Sequence, residues 1–461
     1  MTTRDPLPSL DARYALGRAQ REKLPRAQLA TLAPRSDDYD PVARLIWQGE
    51  SRVAQLLPIR YQRMLASPLA FYRGGALLMA DDLERGSSTS LELQICGDAH
   101  LSNFGVFSSP ERRLVFDVND FDETDHGPFE WDVKRLVSSI VIASHVLGHS
   151  ASQQEAIAVD AAREYRRAMA RFALESRLEV WYATLDVNAV LKDLHGFLAD
   201  HAMQKVDDVI ANVKVPAAAD TYAKLITQED GEPRIRFQPP LLTPLGAAKS
   251  DSLDLRELLD QVLKGYVGTL SSDRQALLAQ FVATEAAHKV VGVGSVGTQC
   301  YVVLLVGRDR DDPFFLQIKE AQSSALSVAR GRESPEPGAR VVSGQRLMQA
   351  TPDAFLGWHS LSVDGVRRSF YVRQLYDNKA SVVVEHLNES LLVAYGRACS
   401  WALARAHARS GTSAQITGYL GKNDSFETSM AAFALAYRDR NQADFEALQR
   451  AAKQGRITVA S

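Results

Sequence analysis

Two short stretches of the sequence gather acidic and amide side chains. They are "CGDAHLSNFG" and "VFDVNDFDET", and the candidate functional residues among their polar side chains are Asp98, His100, Asn103, Asp117, Asp120 and Asp122. A carboxylate at Asp98 could orient or deprotonate a hydroxyl, and the amide oxygen of Asn103 could ligate a hard cation. Crowded carboxylates repel one another, and a divalent ion such as Mg²⁺ relieves that repulsion. These residues predict acid–base chemistry beside a metal site.

The second stretch does not by itself show which of its carboxylates would bind the metal ion. On a strand, Asp120 and Asp122 would point to one face and Asp117 to the other unless the chain bends, so we do not expect all three to bind one ion. The alternative is that these are ordinary turn residues in a solvated loop. His100 is a candidate catalytic residue, with a structural role in the loop as its alternative.

A glycine-rich turn comes much later. "GVGSVG" contains Gly292, Gly294, Ser295 and Gly297, and fits G-x-G-x-x-G. A dinucleotide-binding loop requires a helix next, but "TQCYVVLLV" predicts a strand. A glycine turn between antiparallel strands, with Lys319 on the third strand, is typical of the lid over ATP phosphates in protein kinases. The alternative is an ordinary hairpin with Lys319 on the surface.

Composition limits the class of protein. The 461 residues carry a net charge of −3, so no global field favours nucleic acid. The cysteines, Cys96, Cys300 and Cys399, form no CxxC pair and favour a reducing cytosol. No signal peptide or membrane span is expected, and oligomeric state is not readable.

Periodicity predicts the elements that position these groups. Residues 1–38 suggest a mobile or loosely docked arm, "WDVKRLVSSIVIASHVLG" a buried helix, and "SSDRQALLAQFVATEAAHK" another helix. The predicted fold is α+β, with four parts: an N-terminal arm and helix (1–58), a mostly helical lobe with the acidic loop (59–285), a β-rich lobe with the glycine turn (286–380), and C-terminal helices (381–461).

The motifs resemble known families. "CGDAHLSNFG" resembles the catalytic loop H-G-D-x-H-x-x-N of aminoglycoside phosphotransferases, and "VFDVNDFDE…GPFEWDVKRL" resembles their metal-binding Asp and the segment that follows. With "FYRGGA", "VVSGQRLMQA", "YVRQLYDNK" and "ALARAHARSG", the chain closely resembles the bacterial family of unknown function numbered 2252, from about residue 20 to 450. That family is grouped with kinase-like proteins.

The resemblance implies a role for each position. Asp98 matches the catalytic Asp and Asn103 a metal ligand; Asp120 is favoured as the second ligand, with Asp122 beside it and Asp117 open. Asp132 matches a buried carboxylate that braces the catalytic loop. The nucleotide would contact Gly292, Gly294, Ser295, Gly297, Lys319, Gln345, Tyr371 and Arg373, with Tyr371–Leu375 along the crossover between lobes and Gln345 as a possible partner of Lys319.

Two departures from the pattern matter. Cys96 replaces the histidine before Gly-Asp, so another group must fix the loop. The glycine turn and lysine also follow the catalytic loop instead of preceding it. We therefore expect a circularly permuted, kinase-like two-lobed fold.

These features lead to an expected function. It is an ATP- and Mg²⁺-dependent phosphotransferase acting on an unknown hydroxyl, with nucleotidyl transfer possible. A nucleotide-binding pseudokinase and a metal-dependent phosphoesterase are the alternatives. Arg73 in "FYRGG" would be either an anion contact or a structural arginine.

Overall fold

Helices and antiparallel strands combine in a mixed α+β fold, the class that the sequence predicts. The computed structural model describes residues 8–187, 222, 225–245, 255–290, 292, 296–363, 365–375 and 382–460. Among the helices of these ranges, none has the length and apolar character needed to cross a membrane.

The bounds of the described elements follow in chain order. The α-helices are α1 Leu10–Lys23, α2 Pro41–Gly49, α3 Leu57–Met64, α4 Pro68–Gly74, α5 Ala76–Arg85, α6 Phe129–Val146, α7 Ala151–Phe172, α8 Arg177–Tyr182, α9 Leu255–Val267, α10 Ser272–Leu278, α11 Ala325–Ala329, α12 Pro337–Met348, α13 Glu389–Ala408, α14 Ser413–Leu420 and α15 Ser425–Lys453. The strands are β1 Glu92–Ile95, β2 Phe104–Ser108, β3 Leu114–Val118, β4 Asp125–Pro128, β5 Leu185–Asp186, β6 Ile226–Glu229, β7 Glu232–Ile235, β8 Leu242–Pro244, β9 Val282–Lys289, β10 Cys300–Val306, β11 Pro313–Ala321, β12 Gly357–Val363 and β13 Val366–Gln374.

The largest hydrophobic core surrounds α6. This helix is apolar on most faces, and every residue from Phe129 to Ser144 is buried, as the sequence predicts. The helices α7, α13 and α15 pack around it. Phe129 stacks on Tyr165 of α7 with ring centroids 6.2 Å apart. The helix is therefore a rigid base for the groups that it presents to the acidic loop.

The N-terminal segment is docked, so the prediction of a mobile or loosely docked arm is wrong for residues 8–38. The Ser9 side chain caps α1 by accepting from the Ala12 amide at 3.2 Å. This helix packs against α14, and the close approach requires Gly17, because a Cβ there would clash with the Gln415 backbone. Arg21 then donates to the carbonyl oxygen of Tyr419 at 2.8 Å.

A six-stranded antiparallel sheet holds the late β-rich segment, in the order β12-β13-β11-β10-β9-β8. Lys319 lies on β11, near the middle of this sheet, opposite Cys300 of β10 and Tyr371 of β13. The strand β9 begins at Val282, ahead of the expected boundary at 286, where the sequence predicts that a helix continues from α10. That prediction is wrong: Ala, Glu and Lys favour helix locally, but pairing with β8 and β10 decides the conformation.

Two strand pairs bring the acidic stretches together. In the hairpin of β2 and β3, Phe104 is opposite Val118, so the residues just outside the hairpin also meet. The Asn119 amide donates to the Asn103 carbonyl oxygen at 3.0 Å. Pairing of β1 with β4 places Ile95 opposite Asp125. Residues 96–103 and 119–124 are thereby held side by side.

Candidate functional site

A cavity of about 710 Å³ lies between the acidic loops and the six-stranded sheet. Its volume is in the range of ordinary small-molecule sites. The residues proposed from the sequence that line it are Arg73, Asp98, His100, Asn103, Asp120, Asp122, Gly292, Lys319 and Arg373. Two distant parts of the chain therefore contribute to one site.

The loop that carries Asp98 is held by Asp132 of α6. One carboxylate oxygen of Asp132 accepts from the Cys96 amide at 2.6 Å, and the other accepts from the Gly97 amide at 2.9 Å. Gly97 has φ +78°, a conformation that favours glycine. The expected bracing role of Asp132 thus corresponds to two direct hydrogen bonds to the loop backbone.

The brace is extended by a histidine from the far end of the chain. His407 of α13 places Nε2 3.1 Å from Asp132, while its Nδ1 lies 2.8 Å from the Tyr165 hydroxyl. Cys96, the residue at the start of this loop, is buried. The loop is therefore fixed by a contact from outside its own sequence.

Asp98 is bound by an arginine. Arg135 of α6 donates to Asp98 Oδ1 from Nε at 2.8 Å and from Nη2 at 2.7 Å. Burial raises the pKa of Asp98, and the positive charge of Arg135 opposes that increase. Because Arg135 occupies Oδ1, the other carboxylate oxygen is the one available to a hydroxyl in the cavity.

His100 and Asn103 lie on the side of that second oxygen. His100 Nε2 is 3.5 Å from Asp98 Oδ2, and burial lowers the pKa of His100 well below its usual value. The imidazole is thus neutral near pH 7. Asn103 donates from Nδ2 to the Asp98 carbonyl oxygen at 2.8 Å and to Oδ2 at 3.3 Å. Its amide oxygen remains as a possible ligand for a cation.

Asp120 lies just beyond the contact between Asn103 and Asn119. Its carboxylate accepts a long hydrogen bond of 3.3 Å from the Asp122 amide. Burial raises the pKa of Asp120, Asp122 adds to the increase, and Lys319 opposes it. Asn103 and Asp120 provide the oxygen donors that Mg²⁺ prefers. Across the described ranges, no group of three or more His, Cys, Asp or Glu side chains is placed to hold one metal ion.

Asp122 connects the acidic loop to the sheet. The Lys319 ammonium donates to one of its carboxylate oxygens, and the Tyr371 hydroxyl donates to the other at 2.5 Å. Burial lowers the pKa of Lys319, but Asp122, Tyr371 and Asp120 together raise it well above its ordinary value. Lys319 is therefore a buried, fixed positive charge. Arg373 is held beside it by donating from Nε to Gln317 at 3.0 Å.

Two residues that the sequence placed at the site, Asp117 and Gln345, do not line the cavity. Asp117 is buried in an ion pair with Arg405 and accepts from the Ala350 amide at 3.1 Å, because β3 directs it toward α13. Asp117, which the sequence left open as a metal ligand, therefore lies outside the wall of the cavity. Gln345 donates to Gln349 at 2.9 Å, and the ammonium of Lys319 is held by Asp122 instead.

The expectations for Tyr371 and the glycine turn also need revision. Tyr371 pairs with Lys319 on one side and Trp358 on the other, so its backbone lies inside the sheet and not along a crossover. Gly294 and Ser295 lie outside the described residues. Gly297 has φ +93°, and its carbonyl oxygen accepts from the Val53 amide at 2.7 Å. The end of the turn is therefore attached to the segment after α2.

Comparison with protein-family models finds a family that covers most of the site. The family model described as "Uncharacterized protein conserved in bacteria (DUF2252)" matches residues 52–451. The chain belongs to this family. The match agrees with the resemblance seen in the motifs and contains every residue of the cavity from Arg52 onward. Neither a curated protein nor a solved structure matches the chain.

In this DUF2252 protein, the sequence motifs did not reveal Arg135, Arg52, Glu123 or His407. A signal existed for Arg135: Asp132 and Arg135 are three residues apart in "WDVKRL", so a helix presents both on one face. One holds the loop backbone and the other holds Asp98. Arg52 and Glu123 line the cavity, but no local pattern distinguishes them from surface charges.

Proposed function

We propose that this protein is an ATP- and Mg²⁺-dependent phosphotransferase that acts on a hydroxyl group. The observation that carries the proposal is that Lys319 and the acidic residues Asp98 and Asp120 line the same cavity. Phosphoryl transfer depends mainly on positioning and charge neutralisation. A fixed ammonium opposite a carboxylate base and two oxygen ligands meets that need.

The arrangement of the sheet supports binding of a nucleotide. The glycine-rich sequence connects β9 to β10, Lys319 is on the next strand, and α12 comes between β11 and β12. Protein kinases have a glycine-rich loop over the phosphates and a lysine on the third strand. Since these parts follow the acidic loop in the chain, the proposal includes a circularly permuted kinase-like fold.

The donor groups fit the two cofactors. Asn103 and Asp120 would hold Mg²⁺, and Lys319 with Arg373 would hold the phosphates as charge-assisted donors. ATP with Mg²⁺ supplies the phosphoryl group when bound. Asp98 would orient the acceptor hydroxyl and take its proton through Oδ2, while Arg135 keeps the carboxylate in place. Asp132 and His407 would act only by positioning the loop.

A second candidate is a nucleotide-binding pseudokinase. It is favoured by the pairing of the two principal groups, since Asp98 is bound by Arg135 and Lys319 by Asp122. In active protein kinases the lysine pairs with a Glu on a helix. Lys319 pairs instead with Asp122, which follows the acidic hairpin. Both candidates require nucleotide binding, and only the first requires product formation.

A thermal-shift experiment tests the shared requirement. The protein is heated with ATP, ADP or GTP, with and without Mg²⁺, because a ligand that binds only the native state raises the melting temperature. We expect a Mg²⁺-dependent increase with ATP. Absence of an increase with every nucleotide would contradict both candidates. Binding without transfer to a varied panel of hydroxyl compounds would favour the pseudokinase.

A further inference from the structure

Five lysine and arginine side chains among the described residues line the cavity: Arg52, Arg73, Lys289, Lys319 and Arg373. Arg52 and Lys289 are engaged by other contacts of the chain, and the remaining three fall into two groups. Lys319 and Arg373 lie beside Asp120 and Asp122, on the side of the sheet. Arg73 lies at the end of α4 and its charge acts on Asp98 and His100, on the side of the helices. If the phosphates of the nucleotide bind at the first group, Arg73 is left for the molecule that approaches Asp98.

Arg73 differs from its neighbour Arg135. Arg135 is buried and fully occupied: it binds Asp98, donates from Nη2 to the Tyr72 carbonyl oxygen at 2.9 Å, and stacks on the Tyr72 ring at 3.9 Å. Arg73 lines the cavity but makes no hydrogen bond or ion pair with any described residue. Its guanidinium is thus free to bind a ligand.

A second arginine, Arg60, lies behind the cavity and forms no ion pair with a carboxylate among the described residues. Arg60 is fully buried, and within the described ranges it donates to the Gln48 side-chain oxygen at 2.7 Å and the Gly74 carbonyl oxygen at 3.2 Å. Its Nε and Nη1 have no hydrogen-bond partner among the described residues. Gln48 lines the cavity, and Gly74 directly follows Arg73.

A buried guanidinium without a carboxylate is costly, and it favours binding of an anion nearby. The acidic groups of the cavity do not cancel this charge: Asp120 and Asp122 lie beside Lys319, and Glu320 is 3.9 Å from Arg368. Asp98 is already paired with Arg135, and Glu123 has a pKa raised to about 7 by burial, so it is only partly ionised at neutral pH. Glu50 is exposed at the rim of the cavity.

We propose that the acceptor is a small molecule that carries both a hydroxyl group and an oxyanion, the oxyanion being either a carboxylate or a phosphate. Arg73 binds the oxyanion, so that the hydroxyl group faces Asp98. This inference rests on the proposed phosphotransferase function and names its substrate class. In the transfer, the acceptor oxygen bonds to the terminal phosphorus, the bond from that phosphorus to the bridging oxygen breaks, ADP leaves with the electron pair, and Asp98 takes the hydroxyl proton. The fork of Arg73 suits a planar or tetrahedral oxyanion.

The test uses matched sets of compounds that differ in the anion alone. The sets are glycerol, glycerate and glycerol 3-phosphate, and glucose, gluconate and glucose 6-phosphate. Binding to the full chain is measured by calorimetry without nucleotide. In at least one set we expect an anionic member to bind at least about tenfold more tightly than the neutral one, the usual size for a charge-assisted contact. Preference for glycerate and gluconate, or for the phosphates, identifies the oxyanion.

Variants assign the preference to Arg73. Arg73→Gln should remove it, Arg73→Lys should keep part of it, and Arg18→Gln, an exposed arginine of α1, should leave it unchanged. Equal binding of neutral and anionic members in both sets overturns the inference, as does an anion preference that survives in Arg73→Gln.

Thermal shifts with nucleotide on the same samples separate the two proposals. A shift with ATP and Mg²⁺ without anion preference contradicts only this inference. Arg73-dependent anion binding without any nucleotide shift contradicts the phosphotransferase and keeps the anion site.

Discussion

The Lys319 ammonium donates to the Asp122 carboxylate, and the two residues are 197 positions apart in the chain. This contact joins the middle of the six-stranded sheet to the loop that follows the acidic hairpin. Because Lys319 is almost fully buried, its charge requires a partner, and Asp122 provides it. The pair therefore links the sheet to the acidic loop and fixes a positive charge in the wall of the cavity.

Replacement of Lys319 by Met should remove most of the affinity for nucleotide. The loss is expected to be at least about tenfold in Kd, because a charge-assisted hydrogen bond in a buried site disappears. Lys134→Met is the matched control, since Lys134 is equally buried but lies against the Phe433 ring, away from the cavity. Calorimetry with ATP and Mg²⁺ checks the result. Equal affinity in Lys319→Met and the control would contradict the assignment.

Asp117 and Asp120 should respond in opposite ways to the change to Asn. Asp117→Asn leaves Arg405 buried without its counter-ion, which should cost about 3–5 kcal/mol of unfolding free energy and leave the Mg²⁺ dependence of ATP binding unchanged. Asp120→Asn should abolish that dependence without loss of stability, because burial and Asp122 already disfavour its charge. Urea denaturation and thermal shifts at several Mg²⁺ concentrations measure both. Loss of the Mg²⁺ effect in the Asp117 variant would reverse the assignment.

Asp98→Asn should retain nucleotide binding and lose roughly 10²–10⁴-fold in turnover, the size expected for a general acid–base group. The variant should also unfold more readily, because Arg135 loses its carboxylate partner. Turnover is therefore compared at a temperature below the melting point of both proteins. Normal turnover in a folded variant would exclude Asp98 as the base.

Asp132→Asn should destabilise the protein by roughly 2–4 kcal/mol. The carboxylate accepts from two backbone amides, whereas an Asn side chain can accept from only one and faces the other with its own donor. Asp160→Asn serves as control, since Asp160 makes an exposed ion pair with Arg397, expected to contribute less than about 1 kcal/mol. Chemical denaturation measures both variants, and similar small losses would show that the brace is dispensable.

Glu123→Gln should gain stability relative to the natural protein as the pH rises. Burial raises the pKa of Glu123 from its ordinary 4.5 to about 7, so the folded protein holds this proton more tightly than the unfolded chain. The natural protein therefore loses stability between about pH 4.5 and 7, by at most about 3 kcal/mol from this group, whereas Gln does not titrate. Urea denaturation at pH 5 and pH 8 checks the difference between the two proteins. The exposed position Glu155 supplies the control variant, Glu155→Gln. A difference between Glu123→Gln and the natural protein that is the same at both pH values would contradict this account.

Much of the fold follows from local patterns. The continuous apolar sequence of α6 predicts a buried helix, and the hairpin of β2 and β3 follows from two apolar runs around a polar turn. The strand β9 was missed because Ala, Glu and Lys favour a helix when considered alone. The sequence does not predict that α1 docks on the body of the protein. Gly17 allows the close contact of α1 with α14, but this role is recognisable only when the two helices are placed side by side.

The sequence by itself determined which chemical groups are available and which of them are neighbours through local structure. The hairpin register, for example, places Asn103 beside Asn119 and thus next to Asp120. Only the tertiary structure decided three contacts: the ion pair of Asp122 with Lys319, the ion pair of Asp117 with Arg405, and the contact of Asp132 with His407. The reason is that helix and strand periods act over a few residues, whereas a buried charge finds its partner only when distant segments pack together.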